Sequence, residues 1–243
     1  MEQSILRAYA LGKVDYFGVA GLDSVQDTLK DQCHNSVCGY PFAVSLGIAL
    51  MNPIVDQLPA AVIDVALKMQ YRHHAYDLIN QRLDHAASGI ASILQKYGHR
   101  VLPVAASQTI DRSKLISLFS HKMAARLAGL GFIGKNCLLI TPSHGPRVRW
   151  ATVLTDAPLT STYIDIEERC GTCTQCVDIC PVNALTGRAF SVDEERSLRF
   201  DAFACDKHLK QMEARDGYSV CGLCLYACPY GRASSQAGDI SGA

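Results

Sequence analysis

Eight of the eleven cysteines lie between Cys170 and Cys228, in two dense runs that each end in Cys-Pro. The first run is Cys170-Gly-Thr-Cys173-Thr-Gln-Cys176-Val-Asp-Ile-Cys180-Pro181. This is the C-x2-C-x2-C-x3-C-P spacing of bacterial two-cluster iron–sulfur proteins, in which the fourth cysteine serves the other cluster. A tight loop wraps three thiolates around one face of a cubane, and the helical turn that follows sends the fourth away. Proline suits that helix start because its missing N–H has no partner there anyway. The second run, Cys221-Gly-Leu-Cys224-Leu-Tyr-Ala-Cys228-Pro229, repeats the last three cysteines and the proline but lacks the first cysteine. Cys205 is the nearby thiol left to replace it. The crossing rule then gives two sets of four: Cys170, Cys173, Cys176 and Cys228 for one [4Fe-4S] cluster, and Cys180, Cys205, Cys221 and Cys224 for the other. Structural zinc also uses C-x2-C pairs. It would leave the third and fourth cysteines of the first run, and both prolines, without a reason.

The compartment follows from what surrounds these thiols. A disulfide scaffold is usually shorter, with its cysteines spread along it. The N-terminal stretch Met1–Asp15 lacks a basic region followed by a sustained apolar run, so no export signal is expected. No window approaches the roughly 18 apolar residues of a membrane span. A cytoplasmic protein without membrane association is expected, with thiolates available for iron. Across 243 residues, 23 basic side chains balance 23 acidic ones. With no net field to steer it toward phosphate, the chain shows no charge signature of a nucleic-acid partner.

Upstream of the cysteines, strand-like and helix-like segments alternate. Val14–Leu22, Pro41–Leu50 and Val101–Ala105 read as strands bounded by turn residues. Residues 60–97 carry Ile79, Leu83, Ala87, Ile90 and Leu94 at helical spacing and end at Gly98, giving one long helix or two with a break near Tyr71–His74. Ser120 is placed to cap a short helix over His121–Ala128. Asn136–Thr141 and Val148–Thr155 flank Pro-Ser-His-Gly-Pro-Arg and read as an antiparallel hairpin. Residues 156–168 read as a linker.

Gly129-Leu-Gly131-Phe-Ile-Gly134 satisfies G-x-G-x-x-G, but a helix precedes it and a strand follows, the reverse of the dinucleotide-binding order. The glycines with Lys135 are candidate cofactor contacts, and His121 beside them, with Lys135, is a candidate proton source. Cys33 and Cys38 with His34 are a weak redox or metal pair, read as scattered thiols, and Cys137 as core. His73 and His74 read as solvated, and Arg147 and Arg149 as cations of a solvated turn.

Taken in order, His121–Asn136, Leu138–Thr141, Val153–Leu159 and both cysteine runs resemble the epoxyqueuosine reductase family, which is itself similar to the reductive dehalogenases. The resemblance implies an N-terminal nitroreductase-like α/β domain holding a corrinoid, cobalamin, reduced through a double [4Fe-4S] domain. A flavin is the alternative occupant, since nitroreductase-like domains often hold one. The family's Asp-x-Ala-Pro-x-x-Glu segment, whose Asp is the proposed general acid, falls here on Leu115 and His121, and the nearest carboxylate is Asp111. The family's C-terminal tRNA-binding extension also has no counterpart. A small substrate is therefore expected in place of epoxyqueuosine in tRNA.

The expectation is an α+β protein with a nitroreductase-like cofactor domain over residues 1–160 and a bacterial ferredoxin-like double [4Fe-4S] domain over 161–243. It would be an iron–sulfur reductase fed by a low-potential donor such as ferredoxin or flavodoxin. A non-catalytic electron carrier, or a reductive activator of a corrinoid protein, is the alternative, as is epoxyqueuosine reductase itself.

Overall fold

Apolar, β-branched runs become the strands of a four-stranded sheet, because a strand covered on both faces needs a side chain to bury at every position. A computed structural model of the chain describes residues 2–25 and 35–236. In chain order it shows α1 (Glu2–Ala10), β1 (Tyr16–Gly21), β2 (Phe42–Ala49), α2 (Asn52–Asp56), α3 (Leu58–Ala61), α4 (Val65–Arg72), a π-helical turn (His73–Leu78), α5 (Ile79–Lys96) and β3 (Val101–Val104). It continues with α6 (His121–Leu127), β4 (Phe132–Ile133), β5 (Leu139–Ile140), β6 (Val148–Thr155), α7 (Gln175–Asp178), α8 (Ala202–Asp216), α9 (Leu223–Tyr226) and α10 (Pro229–Gln236). The fold is mixed α and β. No helix among the described residues is long and apolar enough to cross a membrane.

Packing gives two compact units, each built from separated stretches. The first lies within Met1–Ile48, Leu78–Gly131 and Arg149–Ile166, and the second within Ala49–Asp77, Phe132–Val148 and Glu167–Ala243. Residues 49–77 and 132–148 thus join the cysteine-rich stretch, although they precede residue 160 in sequence.

The sheet of the first unit runs β1-β2-β6-β3. β1 pairs antiparallel with β2 (Tyr16↔Gly47 to Gly21↔Phe42), and β3 pairs antiparallel with β6 (Val101↔Thr155 to Val104↔Thr152). Gly47 lets β2 and β6 pack closely, since a Cβ there would stand 2.6 Å from the Trp150 ring. α5 packs on β3 and on α1, and α6 packs on β1. Ser120 caps α6 by accepting the Met123 amide. Gly98, at φ 86°, closes α5 in the left-handed cap expected of it.

The long apolar segment is broken, with the π-helical turn at its break, and Asp64 starts α4 by accepting the Ala66 and Leu67 amides. The expected hairpin around Pro142–Arg147 does not form. β5 folds back on β4, pairing Phe132 with Ile140 and Ile133 with Leu139. β6 instead enters the middle of the large sheet, because all of its residues but Arg149 are buried and a hairpin arm would leave one face wet.

Within the second unit, Lys68 of α4 is fully buried and forms an ion pair with Asp216 at the end of α8, which also pairs with Arg215 at 2.9 Å. A small apolar centre forms from Cys137, Cys176 and Leu185, with Val177, Phe200 and Cys224 packed against it.

Candidate metal centre

The first cysteine run folds as its spacing requires. The Cys173 amide donates to the Cys170 carbonyl at 2.9 Å, and the Val177 amide to the Thr174 carbonyl at 2.8 Å, so the loop turns tightly into α7. Glu168 holds the loop entrance by accepting the Cys170 amide at 2.6 Å. The Lys135 ammonium donates to the carbonyls of Gly171 (2.5 Å) and Cys173 (3.4 Å). Cys228 arrives from the second run. Cys170, Cys173, Cys176 and Cys228, with Lys135, Asn136, Ile140 and Tyr230, line a pocket of about 330 Å³ of empty space.

Burial pushes the Cys170 thiol up to about 12, with Glu168 adding to the effect, and the Cys176 thiol up to about 11, with Cys228 and Cys173 adding to it. Four thiolates in such a place repel one another and lack water. A multivalent metal group removes both penalties, and its binding must release protons.

The second set is assembled by a closed excursion of the chain. Leu185 and Phe200 form an antiparallel bridge, and the Asp201 amide donates to the Ala184 carbonyl at 2.8 Å. Residues 186–199 are thereby looped out, and α8 starts beside Cys180. Asp201 caps α8 by accepting the Ala204 amide, which places Cys205 on its first turn. Burial first, then Cys221 and Cys180, raise the Cys205 thiol to about 11. The Cys224 thiol is pushed up by burial first, then by Cys221, Cys205 and Cys180. Among the described residues, no three His, Cys, Asp or Glu side chains converge on a single-ion site. A tetrahedral ion draws its sulfurs to about 2.3 Å. Cys170, Cys173, Cys176 and Cys228 ring one pocket, and Cys180, Cys205, Cys221 and Cys224 influence one another as a second set.

The glycine turn serves the protein's own chain. Gly129, at φ 70°, ends α6, and a Cβ there would stand 2.5 Å from the Ile164 amide nitrogen. A Cβ on Gly134 would meet Ile140 at 2.9 Å and the Cys170 sulfur at 3.3 Å. The Asn136 amide group donates to the Cys224 carbonyl at 3.4 Å. Gly131 is buried between them. Of the candidate cofactor contacts, Gly129 packs on the chain at Ile164, Gly131 is buried, and Gly134 and Lys135 lie at the cysteine loop.

His121 has both ring nitrogens occupied, by the Thr152 hydroxyl at 2.8 Å and the Ala105 carbonyl at 2.9 Å. Burial, the larger influence, holds its pKa below the usual value despite the Ala105 bond. It is a neutral, tied histidine. Asp111 accepts from the Ser113 hydroxyl (2.6 Å) and from the Ser113 and Lys114 amides. The Ser113 hydroxyl leads in holding its carboxyl below the usual range, so Asp111 is a poor proton donor.

Three sequence readings of solvated side chains are corrected by burial or by a hydrogen-bond partner. His74 is buried and accepts the Met51 amide at 3.1 Å, while His73 stays exposed. Arg147 is fully buried, bonded to Asn52 (2.9 Å) and Asp56 (2.7 Å). Arg149 reaches Asn80 at 2.6 Å. Cys137 is buried as core. Cys38 is half-buried, while Cys33 and His34 lie outside the described residues.

Residues 169–231 match the family described as 4Fe-4S double cluster binding domain. Epoxyqueuosine reductase of Bacillus anthracis is 34% identical over 114 residues, covering 45% of this chain and 29% of the relative. That of Lactococcus garvieae is 29% identical over 209 residues, covering 78% and 51%. The chain is a relative of the epoxyqueuosine reductases. It spans between about a third and a half of the length of these relatives. Solved structures agree on the fold. An epoxyqueuosine reductase bound to an epoxyqueuosine-modified tRNA-Tyr stem loop superposes with a TM-score of 0.59 at 20% identity, over 96% of this chain and 66% of that one. A reductive dehalogenase described as B12-dependent superposes with a TM-score of 0.67 at 20% identity, over 97% and 33%.

Proposed function

We propose that the chain is an iron–sulfur reductase that carries electrons through two [4Fe-4S] clusters to a corrinoid, for the reduction of a small substrate. The observation that carries this is the pairing of Cys228 with the first cysteine run around one pocket, which is the crossing a two-cluster protein requires. Cys170, Cys173, Cys176 and Cys228 would hold one cluster, and Cys180, Cys205, Cys221 and Cys224 the other. Lys135 fixes the first cluster's loop, and Asn136 reaches from the same turn to the second run. A low-potential ferredoxin or flavodoxin would supply electrons singly.

A corrinoid, when bound, would supply a strongly reducing cobalt centre. The support for it is the likeness to epoxyqueuosine reductases and to a B12-dependent dehalogenase. The protein's electron path stands apart from the acceptor's identity, and a flavin acceptor or a carrier role would use the same cysteines.

The test is anaerobic reconstitution with iron and sulfide, followed by titration with cobalamin under visible and EPR spectroscopy. Eight irons per chain with a cobalamin-dependent spectral change is the expected result. Clusters with no spectral change at saturating cobalamin would remove the corrinoid.

Epoxyqueuosine in tRNA is the second reading, favoured by the activity named for its relatives. Two observations weigh against it: Leu115 stands in the register of the family's proposed acid, and the nearest carboxylate, Asp111, is engaged by the Ser113 hydroxyl and the Ser113 and Lys114 amides. Turnover of an epoxyqueuosine-containing anticodon stem would decide for tRNA.

A further inference from the structure

Arg147 does a job that its position in the sequence does not advertise. It follows Pro146 at the end of a turn, where a basic residue is normally solvated, yet its side chain has no exposure. Taking a guanidinium fully out of water costs several kcal/mol unless its donors are matched (on the order of the penalty for any buried ion). Two of its three nitrogens are matched. One terminal nitrogen donates to Asn52 at 2.9 Å and the other to Asp56 at 2.7 Å, both on α2. The third, Nε, is buried and has no acceptor among the described residues.

Gly231 lies beside Nε. A Cβ on Gly231 would stand 2.7 Å from Nε and 3.1 Å from Cγ. The missing side chain at 231 is what admits the guanidinium to the turn that begins at Cys228, closed by the Gly231 amide donating to the Cys228 carbonyl at 3.1 Å. Gly145 packs on the same turn, where a Cβ would stand 2.4 Å from the Gly231 nitrogen. Two glycines therefore let the chain lay a buried cation against the segment that carries Cys228. A strut between α2 and this turn would explain the Asn52 and Asp56 bonds. It would not explain a charged strut with an unmatched donor, where an apolar side chain of similar volume would cost less.

We infer that Arg147 sets the electron affinity of the cluster held by Cys170, Cys173, Cys176 and Cys228, keeping its reduction potential above that of the same cluster without the cation. The inference rests on the two-cluster reading above. A tetrathiolate cluster is an anion that gains one further negative charge on reduction, and a fixed positive charge nearby favours the reduced form. Asp56 partly offsets the cation, but it is 44% exposed and its field is screened by water, whereas that of Arg147 is not. The cation's influence therefore prevails. Arg147 is a positioning residue in this role, acting on the cluster through space.

The test is an EPR-monitored potentiometric titration of the reconstituted full chain as wild type, Arg147→Lys, Arg147→Met and Asp56→Asn. Arg147→Met should weaken the electron affinity of one cluster about tenfold, a fall of ~59 mV for a one-electron couple. The other cluster should move much less. Arg147→Lys should recover most of the wild-type value, and Asp56→Asn should move the same cluster upward. Unchanged midpoints in a folded, cluster-loaded Arg147→Met protein, or equal shifts of both clusters, would overturn the inference. If Arg147→Met does not fold, Asp56→Asn decides alone, and an unchanged or lowered midpoint there overturns it. Wild-type protein with no cluster on those four cysteines would overturn the two-cluster reading as well, so the two failures are distinguishable.

Discussion

The Lys135 ammonium donates to the Gly171 carbonyl at 2.5 Å, tying the glycine turn to the loop that carries Cys170 and Cys173. A charged donor on a backbone carbonyl contributes about 1.5 kcal/mol where water still reaches it. Lys135→Met should therefore speed chelator-driven loss of the first cluster about tenfold and leave the second cluster's loss rate near wild type. Iron release to a colorimetric chelator, with the remaining cluster followed by EPR, checks this. Equal acceleration of both losses would show that Lys135 supports the unit generally.

Gly134 faces the Cys170 sulfur with room for hydrogen only, since a Cβ would stand 3.3 Å from that sulfur and 2.9 Å from Ile140. Overpacking of this kind costs about 1–3 kcal/mol. Gly134→Ala is expected to fold with the second cluster in place and a labile first one, so iron content after desalting should drop toward half. Full retention of iron would mean that the turn yields and the contact is unimportant.

Much of the metal centre was legible because cysteine spacing is local: the loop of residues 170–176 and the helical turn after it need no distant partner. The break near Tyr71–His74 was legible for the same reason, as a polar interruption of an apolar stripe. What sequence could not show was choice of partner. β6 reads as a strand from its apolar run, but its place in the sheet depends on β2 and β3, and a turn beside it suggested a hairpin. Arg147 and His74 looked solvated because burial is decided by elements distant in sequence, α10 and Gly231 in one case and the chain at Met51 in the other. The only sequence signal for Arg147 was indirect, the glycines at 145 and 231. Cys205 could be found only by elimination, since the Leu185–Phe200 bridge that delivers it has no motif.

His121 supplies a pH signature in the first unit. Its pKa is held below the ordinary 6.5 by burial, so the folded protein binds fewer protons than the unfolded chain between the two values. Stability rises with pH wherever the unfolded state holds more protons, so this contribution is complete above about 6.5 and lost as pH falls through the folded-state value. Chemical denaturation from pH 7.5 to 5 should show a decline that is shallower in His121→Gln. The variant should also lose about 1–3 kcal/mol at neutral pH, if glutamine reaches only one of Thr152 and Ala105. An identical pH slope in both proteins would place the acid sensitivity elsewhere.

Cys205 should be indispensable to one cluster and irrelevant to the other. Cys205→Ala is expected to retain about four irons per chain, the content of one cubane, with a single EPR species on reduction. Eight irons and two species would mean that another ligand fills the place assigned to Cys205.

The central claim is that the two runs exchange their last cysteines, and non-additive iron loss measures it most directly. Cys228→Ala alone should leave about four irons per chain, the content of the remaining cubane. Adding Cys170→Ala should remove no more, because both residues belong to one set. Adding Cys224→Ala should bring the count to about zero, although Cys224 and Cys228 are neighbours in one run. If instead Cys228→Ala with Cys224→Ala keeps about four irons while Cys228→Ala with Cys170→Ala keeps none, each run holds its own cluster and the crossed assignment is contradicted.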